Sequence, residues 1–117
     1  MKKILILLVL SLLLFSCQKN YLIPRVEVPK WLKEKISKDE AIIKSDPKWM
    51  QSYGAWIMYE YQGEKYYEYD NPLSSTSRNP YSQVGVRINT TIAPFIDYWD
   101  DKCCEKFVWK GPKYHEF

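Results

Sequence analysis

Ala-Trp-Ile-Met-Tyr-Glu-Tyr-Gln-Gly-Glu-Lys-Tyr-Tyr-Glu-Tyr-Asp, residues 55–70, is the stretch that decides the fold. Two runs rich in aromatic residues flank Gln62-Gly63, and this pattern predicts two antiparallel strands joined by a two-residue turn. The turn sets a register whose facing pairs are Glu60 and Lys65, Met58 and Tyr67, and Trp56 and Tyr69. One face of the hairpin therefore combines an oppositely charged pair with two large apolar pairs, which favours this register.

The opposite face of the hairpin is more polar. It carries Ile57, Tyr59, Tyr61, Tyr66 and Glu68. Packing in a core is the commoner use of aromatic rings, and the alternative is an aromatic platform for a sugar or a peptide. We predict that Tyr59, Tyr61 and Tyr66 are exposed and form a candidate binding surface.

A helix is predicted before the hairpin. Pro29 suits the first turn because its fixed φ is helical and its missing N–H needs no partner there. The apolar residues that then fall close to one helix face are Trp31, Leu32, Ile36 and Ile43. We predict one helix from about Pro29 to Lys44, with a second helix starting at the capping box Ser37–Glu40 as the alternative. Since an isolated hairpin is marginally stable, this helix should cover its apolar face.

The remaining elements are shorter. Val26 and Val28 allow a short edge strand, and residues 48–53 allow one helical turn. Residues 70–83 are predicted to be a loop because they are rich in proline and serine, and this loop is either a recognition loop or a connector. A third strand is predicted at Val84, Val86 and Ile88, a short helix or irregular corner at 94–101, and a last strand at 107–109 that Gly111-Pro112 ends. The fold class is therefore α+β, with one N-terminal helix packed on a small antiparallel sheet built around the central hairpin.

The N-terminus is predicted to carry an export signal. Lys2 and Lys3 precede 12 apolar or small residues, Ile4–Phe15, within the range of about 7 to 15 for a secretory signal. A spanning helix needs about 20 apolar residues, so this run is too short. The run ends in Leu14-Phe15-Ser16-Cys17, which resembles the lipobox of bacterial lipoproteins.

The lipobox resemblance implies a location. In that family the cysteine thiol receives a diacylglycerol, the chain is cut before it and the new amino group is acylated, so Cys17 would be the lipidated residue. The resemblance also implies transfer to the outer membrane, because Gln18 rather than an aspartate follows the cysteine. The predicted organisation is a lipoprotein signal peptide at 1–16, the lipidated cysteine and a tether at 17–29, and one small α+β domain at 30–117. A tether of that length would extend by at most about 40 Å.

Composition excludes nucleic acid as a partner. Without residues 1–16 the chain has 101 residues, of which 15 are basic and 14 acidic because Lys2 and Lys3 are lost with the signal. A nucleic-acid-binding domain needs Lys and Arg clustered on one face, whereas here acidic residues lie among the lysines. The size allows one domain.

Few residues indicate reactive chemistry. Cys103 and Cys104 are adjacent, and their Cα atoms should lie about 3.8 Å apart, below the usual spacing for a disulfide. We therefore predict a strained disulfide or a thiol pair. The acidic set of Asp97, Asp100 and Asp101 lacks the spacing of a calcium loop. His115 is the only histidine, too little for a zinc site or a catalytic triad. No cofactor, metal or catalytic residue is predicted.

These observations favour three functions, which follow in order of preference. The first is a membrane-anchored, non-enzymatic binding module that contacts an envelope protein, peptidoglycan or a glycan. The second is an inhibitor or immunity protein against an envelope-acting toxin or hydrolase. The third is a thiol-redox protein that uses Cys103 and Cys104. The residues after Cys17 resemble no family that we can name.

Overall fold

The computed structural model describes residues 21–74 and 78–115. Its elements are a 3₁₀ turn at Arg25–Glu27, helix α1 at Lys30–Ser45, a 3₁₀ turn at Met50–Tyr53, strands β1 at Ala55–Tyr61, β2 at Glu64–Asp70 and β3 at Pro80–Tyr81, helix α2 at Tyr98–Asp101 and strand β4 at Cys103–Lys110. The predicted α+β fold is confirmed. The signal and Cys17 lie outside the described residues. Within the described part, neither helix has the length and apolar character needed to cross a bilayer.

The sheet is antiparallel and has the order β3-β2-β1-β4. Its centre is the predicted hairpin of β1 and β2, and the register of all three predicted facing pairs is confirmed. Gln62 and Gly63 have φ of 51° and 79°, and positive φ at both central residues is typical of a type I′ hairpin turn.

Helix α1 covers one face of the sheet, as the sequence predicts. It is a single helix that begins directly after Pro29. Leu32 and Ile36 are fully buried in a cluster with Trp56 and Met58. The helical turn predicted within 48–53 is also confirmed, at Met50–Tyr53.

The segment before α1 is part of the domain. Tyr21 forms a bridge with Trp109 of β4, and the Leu22 N–H donates to the Val108 carbonyl at 2.9 Å. Val28 is buried in the main core. The tether prediction is therefore wrong at Tyr21, Leu22 and Val28, which contact the domain, whereas the Val26 side chain is exposed. The edge strand predicted at Val26 and Val28 is wrong too, since Arg25–Glu27 is a 3₁₀ turn.

The third strand lies earlier in the chain than predicted. Strand β3, Pro80–Tyr81, pairs with β2 inside the stretch predicted to be a loop. Val84 and Val86 are exposed, and the Ser82 hydroxyl accepts hydrogen bonds from both of their N–H groups. Gly85 has φ +85° and lies against the Trp31 ring. This turn folds residues 82–87 on α1, so the alternating valines do not form a strand.

The C-terminal strand is longer than predicted. Strand β4 begins at Cys103 and pairs with β1 along Ala55–Glu60, with two register shifts. Gly111 follows its last residue, as predicted. Within 94–101 the short helix is the correct alternative. The covering segment, residues 92–102, connects to β4 and crosses the second face of the hairpin.

Candidate functional site

The second face of the hairpin is buried, and this overturns the predicted binding surface. The exposed fractions of Tyr59, Tyr61 and Tyr66 are 8%, 4% and 8%. The reason is the covering segment, whose Tyr98 is completely buried and packs on Tyr61 and Tyr66. The Tyr61 hydroxyl also donates to the Pro94 carbonyl at 2.7 Å. These three tyrosines form a core and are not a platform for a ligand.

Glu68 is a charged residue at the centre of this buried face. Its side chain has no solvent-exposed area. Its Oε2 accepts hydrogen bonds from the Tyr98 hydroxyl at 2.6 Å and from Lys102 Nζ at 2.9 Å. Its Oε1 lies 3.0 Å from Arg78 Nη2. A buried carboxylate is stable only when its charge and lone pairs have partners, and these three donors supply them.

The two cations are also held by aromatic rings. Lys102 Nζ lies 3.8 Å from the centroid of the Tyr59 ring and 4.6 Å from that of Trp99. Arg78 Nη2 donates to the Tyr59 hydroxyl at 3.0 Å. Cations over ring faces are attracted by the negative charge of the π system. The four residues Glu68, Arg78, Tyr98 and Lys102, which we call the ionic cluster, are therefore fixed by both charges and rings.

The protonation of the cluster follows from its contacts. Burial raises the pKa of Tyr98 well above its usual range, and the carboxylate of Glu68 raises it further. Burial alone would lower the pKa of Arg78, but Glu68 and the Tyr59 hydroxyl outweigh that effect and raise it above its usual value. Burial likewise raises the pKa of Tyr59. Tyr98 therefore remains a hydrogen-bond donor and Arg78 a cation at neutral pH.

A cleft of about 800 Å³ opens beside the ionic cluster. It lies at the end of β2, between the segments on either side of residues 75–77 and the covering segment. The described residues that line it are the aromatic Tyr69, Tyr81 and Trp99, the polar or charged Asp70, Asn71, Ser74, Arg78, Asn79 and Thr90, and Pro72. Its volume falls in the range of small-molecule sites, about 300 to 1,000 Å³.

Hydrogen bonds fix the walls of the cleft. The Asn71 amide donates to the Met50 carbonyl at 3.0 Å, and its oxygen accepts from the Leu73 N–H at 3.1 Å. Trp99 is 42% exposed, and its indole N–H donates to the Thr90 hydroxyl at 3.0 Å. The Trp99 ring is therefore held in place while part of the side chain stays exposed.

A separated charge pair lies in the same cleft. Arg78 Nη1 is 4.0 Å from Asp70 Oδ1, which is beyond hydrogen-bonding distance. Asp70 Oδ2 accepts a hydrogen bond from the Tyr114 hydroxyl at 2.8 Å. The Asp70 carboxylate is thus anchored on one side and has lone pairs directed elsewhere.

Cys103 and Cys104 form a disulfide, one of the two states that the sequence predicts. Both residues are exposed at the start of β4, where Cys103 faces Glu60 of β1. The two sulfurs and a Glu60 carboxylate oxygen lie within 4.8 Å of one another, the only such group of three potential metal ligands in the described ranges 21–74 and 78–115. Disulfide sulfurs are poor ligands because metals bind the thiolate.

The other candidate ligands do not meet. Asp97, Asp100 and Asp101 form no group of that kind. His115 is exposed and lines a separate, smaller pocket with Tyr53 and Leu73.

No protein-family model, curated protein or solved structure matches the chain.

The sequence gives little sign of this site. Arg78 follows a serine-rich stretch and Lys102 precedes the cysteines, 10 and 34 positions after Glu68, so no local spacing connects the three. The one available signal is a glutamate on a strand face that otherwise carries large rings. Such a residue must find buried partners once that face is covered.

Proposed function

We propose that the chain is an envelope lipoprotein whose domain is a non-enzymatic binding module, with the cleft beside the ionic cluster as its ligand site. The leader supports the location: a short apolar run ending in Leu14-Phe15-Ser16-Cys17 favours export and acylation of Cys17. Two or more acyl chains give stable anchoring. The protein is then attached to the membrane through these acyl chains. Gln18 favours the outer membrane as its location.

The cleft is the main observation that supports a binding role. Its walls are set before any ligand arrives, because Asn71 and Trp99 are held by hydrogen bonds and Arg78 by Glu68. A preorganised site binds more tightly, since less side-chain freedom is lost on binding. The cleft combines aromatic surface with a few fixed polar groups, the usual composition of ligand sites.

The ionic cluster supports binding rather than catalysis. A general base must be able to take a proton from a substrate. Glu68 already accepts hydrogen bonds from Tyr98 and Lys102 and pairs with Arg78. The raised pKa of Tyr98 keeps that hydroxyl protonated. The cluster is therefore better suited to holding the cleft than to proton transfer.

Anchoring is tested by Cys17→Ser. The wild-type protein should partition into the detergent-rich phase after cloud-point separation, with acyl mass on Cys17. The variant should move to the aqueous phase, because it has no acyl chain. A wild-type protein found in the aqueous phase without acyl mass would refute the lipoprotein assignment.

The ligand site is tested by Trp99→Ala in the full-length lipoprotein. Wild-type protein in detergent is incubated with peptidoglycan sacculi and, separately, with solubilised envelope extract. The variant should retain at most about a tenth of the component that the wild type retains, because a large stacking surface is lost. Trp49→Ala is the matched control, since Trp49 is 38% exposed and does not line the cleft.

Each outcome has a defined meaning. Retention that depends on Trp99 and not on Trp49 supports the binding module. Stoichiometric retention of one hydrolase or toxin would make the module an inhibitor. Retention that neither substitution affects, or no retention at all, would overturn the cleft as the ligand site.

The exposed disulfide favours thiol redox chemistry as a second candidate function. Accessible disulfides can be attacked by an outside thiolate. A reduced dithiol of an envelope partner would give two electrons and two protons to Cys103–Cys104, forming two thiols here and a disulfide in the partner. Alkylation of freshly lysed cells followed by intact-mass measurement should then find both forms. A pair that is always bridged or always reduced would exclude this function.

A further inference from the structure

We propose that the ligand of the cleft is an uncharged saccharide. This inference rests on the proposed function, because it takes the cleft beside the ionic cluster as the ligand site. Three properties of the cleft support a saccharide ligand: the balance of its charges, its aromatic walls and the spacing of Asp70 and Arg78.

The charges at the cleft cancel. Arg78 and Asp70 line it with opposite charges, and Glu68 and Lys102 pair beneath it. An anionic ligand such as a phosphate or a nucleic acid needs an excess of cations, and a cationic ligand needs an excess of carboxylates. Because the described residues that line the cleft carry neither excess, its field favours a ligand without net charge.

The aromatic walls fit a sugar ring. Trp99 lines the cleft and is 42% exposed, while Tyr81 and Tyr69 are partly exposed. The face of an aromatic ring carries negative charge, and the C–H groups on one face of a pyranose ring carry slight positive charge. A saccharide can therefore lie flat on Trp99 while its hydroxyl groups point to the polar lining.

The separated charge pair fits a hydroxyl group. Asp70 Oδ1 and Arg78 Nη1 are 4.0 Å apart, too far for a direct hydrogen bond. A hydroxyl group both donates and accepts, so one sugar hydroxyl can donate to Asp70 and accept from Arg78. Sugars carry several hydroxyls with this double capacity, which favours a saccharide over an apolar peptide side chain.

The test is a titration of the full-length lipoprotein in detergent, followed by tryptophan fluorescence and calorimetry. Four probes are compared: uncharged tetramers of N-acetylglucosamine and of glucose, a cationic tetramer of glucosamine and an anionic tetramer of galacturonic acid. At least one uncharged tetramer should bind at least about tenfold more tightly than both charged ones. Its affinity should change little between low and high salt, because screening acts on charges.

Three substitutions extend the test. Trp99→Ala should weaken binding of the uncharged tetramer at least about tenfold, whereas Trp49→Ala should change it less than about twofold. Asp70→Asn keeps the shape of that side chain but leaves Arg78 in excess at the cleft. It should therefore raise the affinity for the anionic tetramer by about fivefold or more.

The outcomes separate this inference from the proposed function. Tighter binding of a charged tetramer, or binding that Trp99→Ala leaves unchanged, would overturn the saccharide. If no uncharged tetramer binds but envelope extract yields a protein retained through Trp99, the saccharide is refuted and the binding module stands. If neither binds, both fall.

Discussion

The two faces of the central hairpin are buried in different ways. On the first face, α1 places Leu32 and Ile36 against Trp56 and Met58 in an apolar cluster. On the second face, tyrosine rings surround the ionic cluster at Glu68. The first face needs matching shape and apolar area, whereas the second also needs three partners in fixed positions. The interactions that stabilise the first face are therefore non-directional, whereas those that stabilise the second face are directional. The directional face is the one that supports the cleft.

The largest expected effect is that of Glu68→Gln on the second face. The substitution leaves Arg78 and Lys102 without their carboxylate, and breaking a buried ion pair costs about 4 kcal/mol. Denaturation of the purified protein by urea, followed by tryptophan fluorescence, measures the loss. A loss below about 1 kcal/mol would contradict the directional character of this face.

The control for this substitution removes all the charges together. Glu68→Leu combined with Arg78→Met and Lys102→Met leaves no unpaired charge within the ionic cluster, and replacement of a buried ion cluster by apolar residues is often neutral or stabilising. The triple variant should recover at least about half of the loss seen in Glu68→Gln. No recovery would mean that Glu68→Gln acts by disturbing the packing.

A somewhat smaller effect is expected from Leu32→Ala on the first face. Leu32 is fully buried, and loss of its side chain leaves a cavity that costs about 3 kcal/mol. The control Ile42→Ala lies on the same helix, where Ile42 is 40% exposed, and should cost less than about 0.5 kcal/mol. Equal losses in the two variants would contradict the packing of α1 on the sheet.

The smallest effect is expected from Tyr98→Phe, and it depends on pH. At neutral pH the lost hydrogen bond to Glu68 should cost about 1.5 kcal/mol. The folded pKa of Tyr98 lies above the unfolded value of 10.0, so the folded protein keeps a proton that the unfolded chain loses above about pH 10. Stability is therefore lost as the pH rises from there.

The measurement is urea denaturation between about pH 9 and 11. The wild type should lose stability more steeply with rising pH than Tyr98→Phe, because the variant lacks this titrating group. Identical slopes would show that burial and Glu68 do not raise the pKa of Tyr98 in the folded protein.

The difference between the two faces of the hairpin explains which parts of the fold the sequence could predict. The first face depends on local patterns: Gln62-Gly63 sets the hairpin register, and the helical spacing of Leu32 and Ile36 gives one apolar stripe. These patterns need no knowledge of distant residues. Both were predicted correctly, as was the covering of Trp56 and Met58 by α1.

The second face depends on distant residues. A hairpin with Tyr59, Tyr61 and Glu68 on one face is typical of a half-exposed sheet when it is considered alone. Only the covering segment buries that side, and nothing local to 92–102 indicates where it will pack. The predicted aromatic platform is therefore a core, and the cleft-lining Trp99 and Arg78 were not predicted.

The pairing of Tyr21 with Trp109 sets a standoff distance for the lipoprotein that we propose. Tyr21 is only four positions after Cys17, and four extended residues span at most about 14 Å. With acyl chains on Cys17, this edge of the sheet would remain within that distance of the lipid headgroups. The domain could not reach outward across the periplasm, so a polymer or partner would have to approach the membrane surface to be bound.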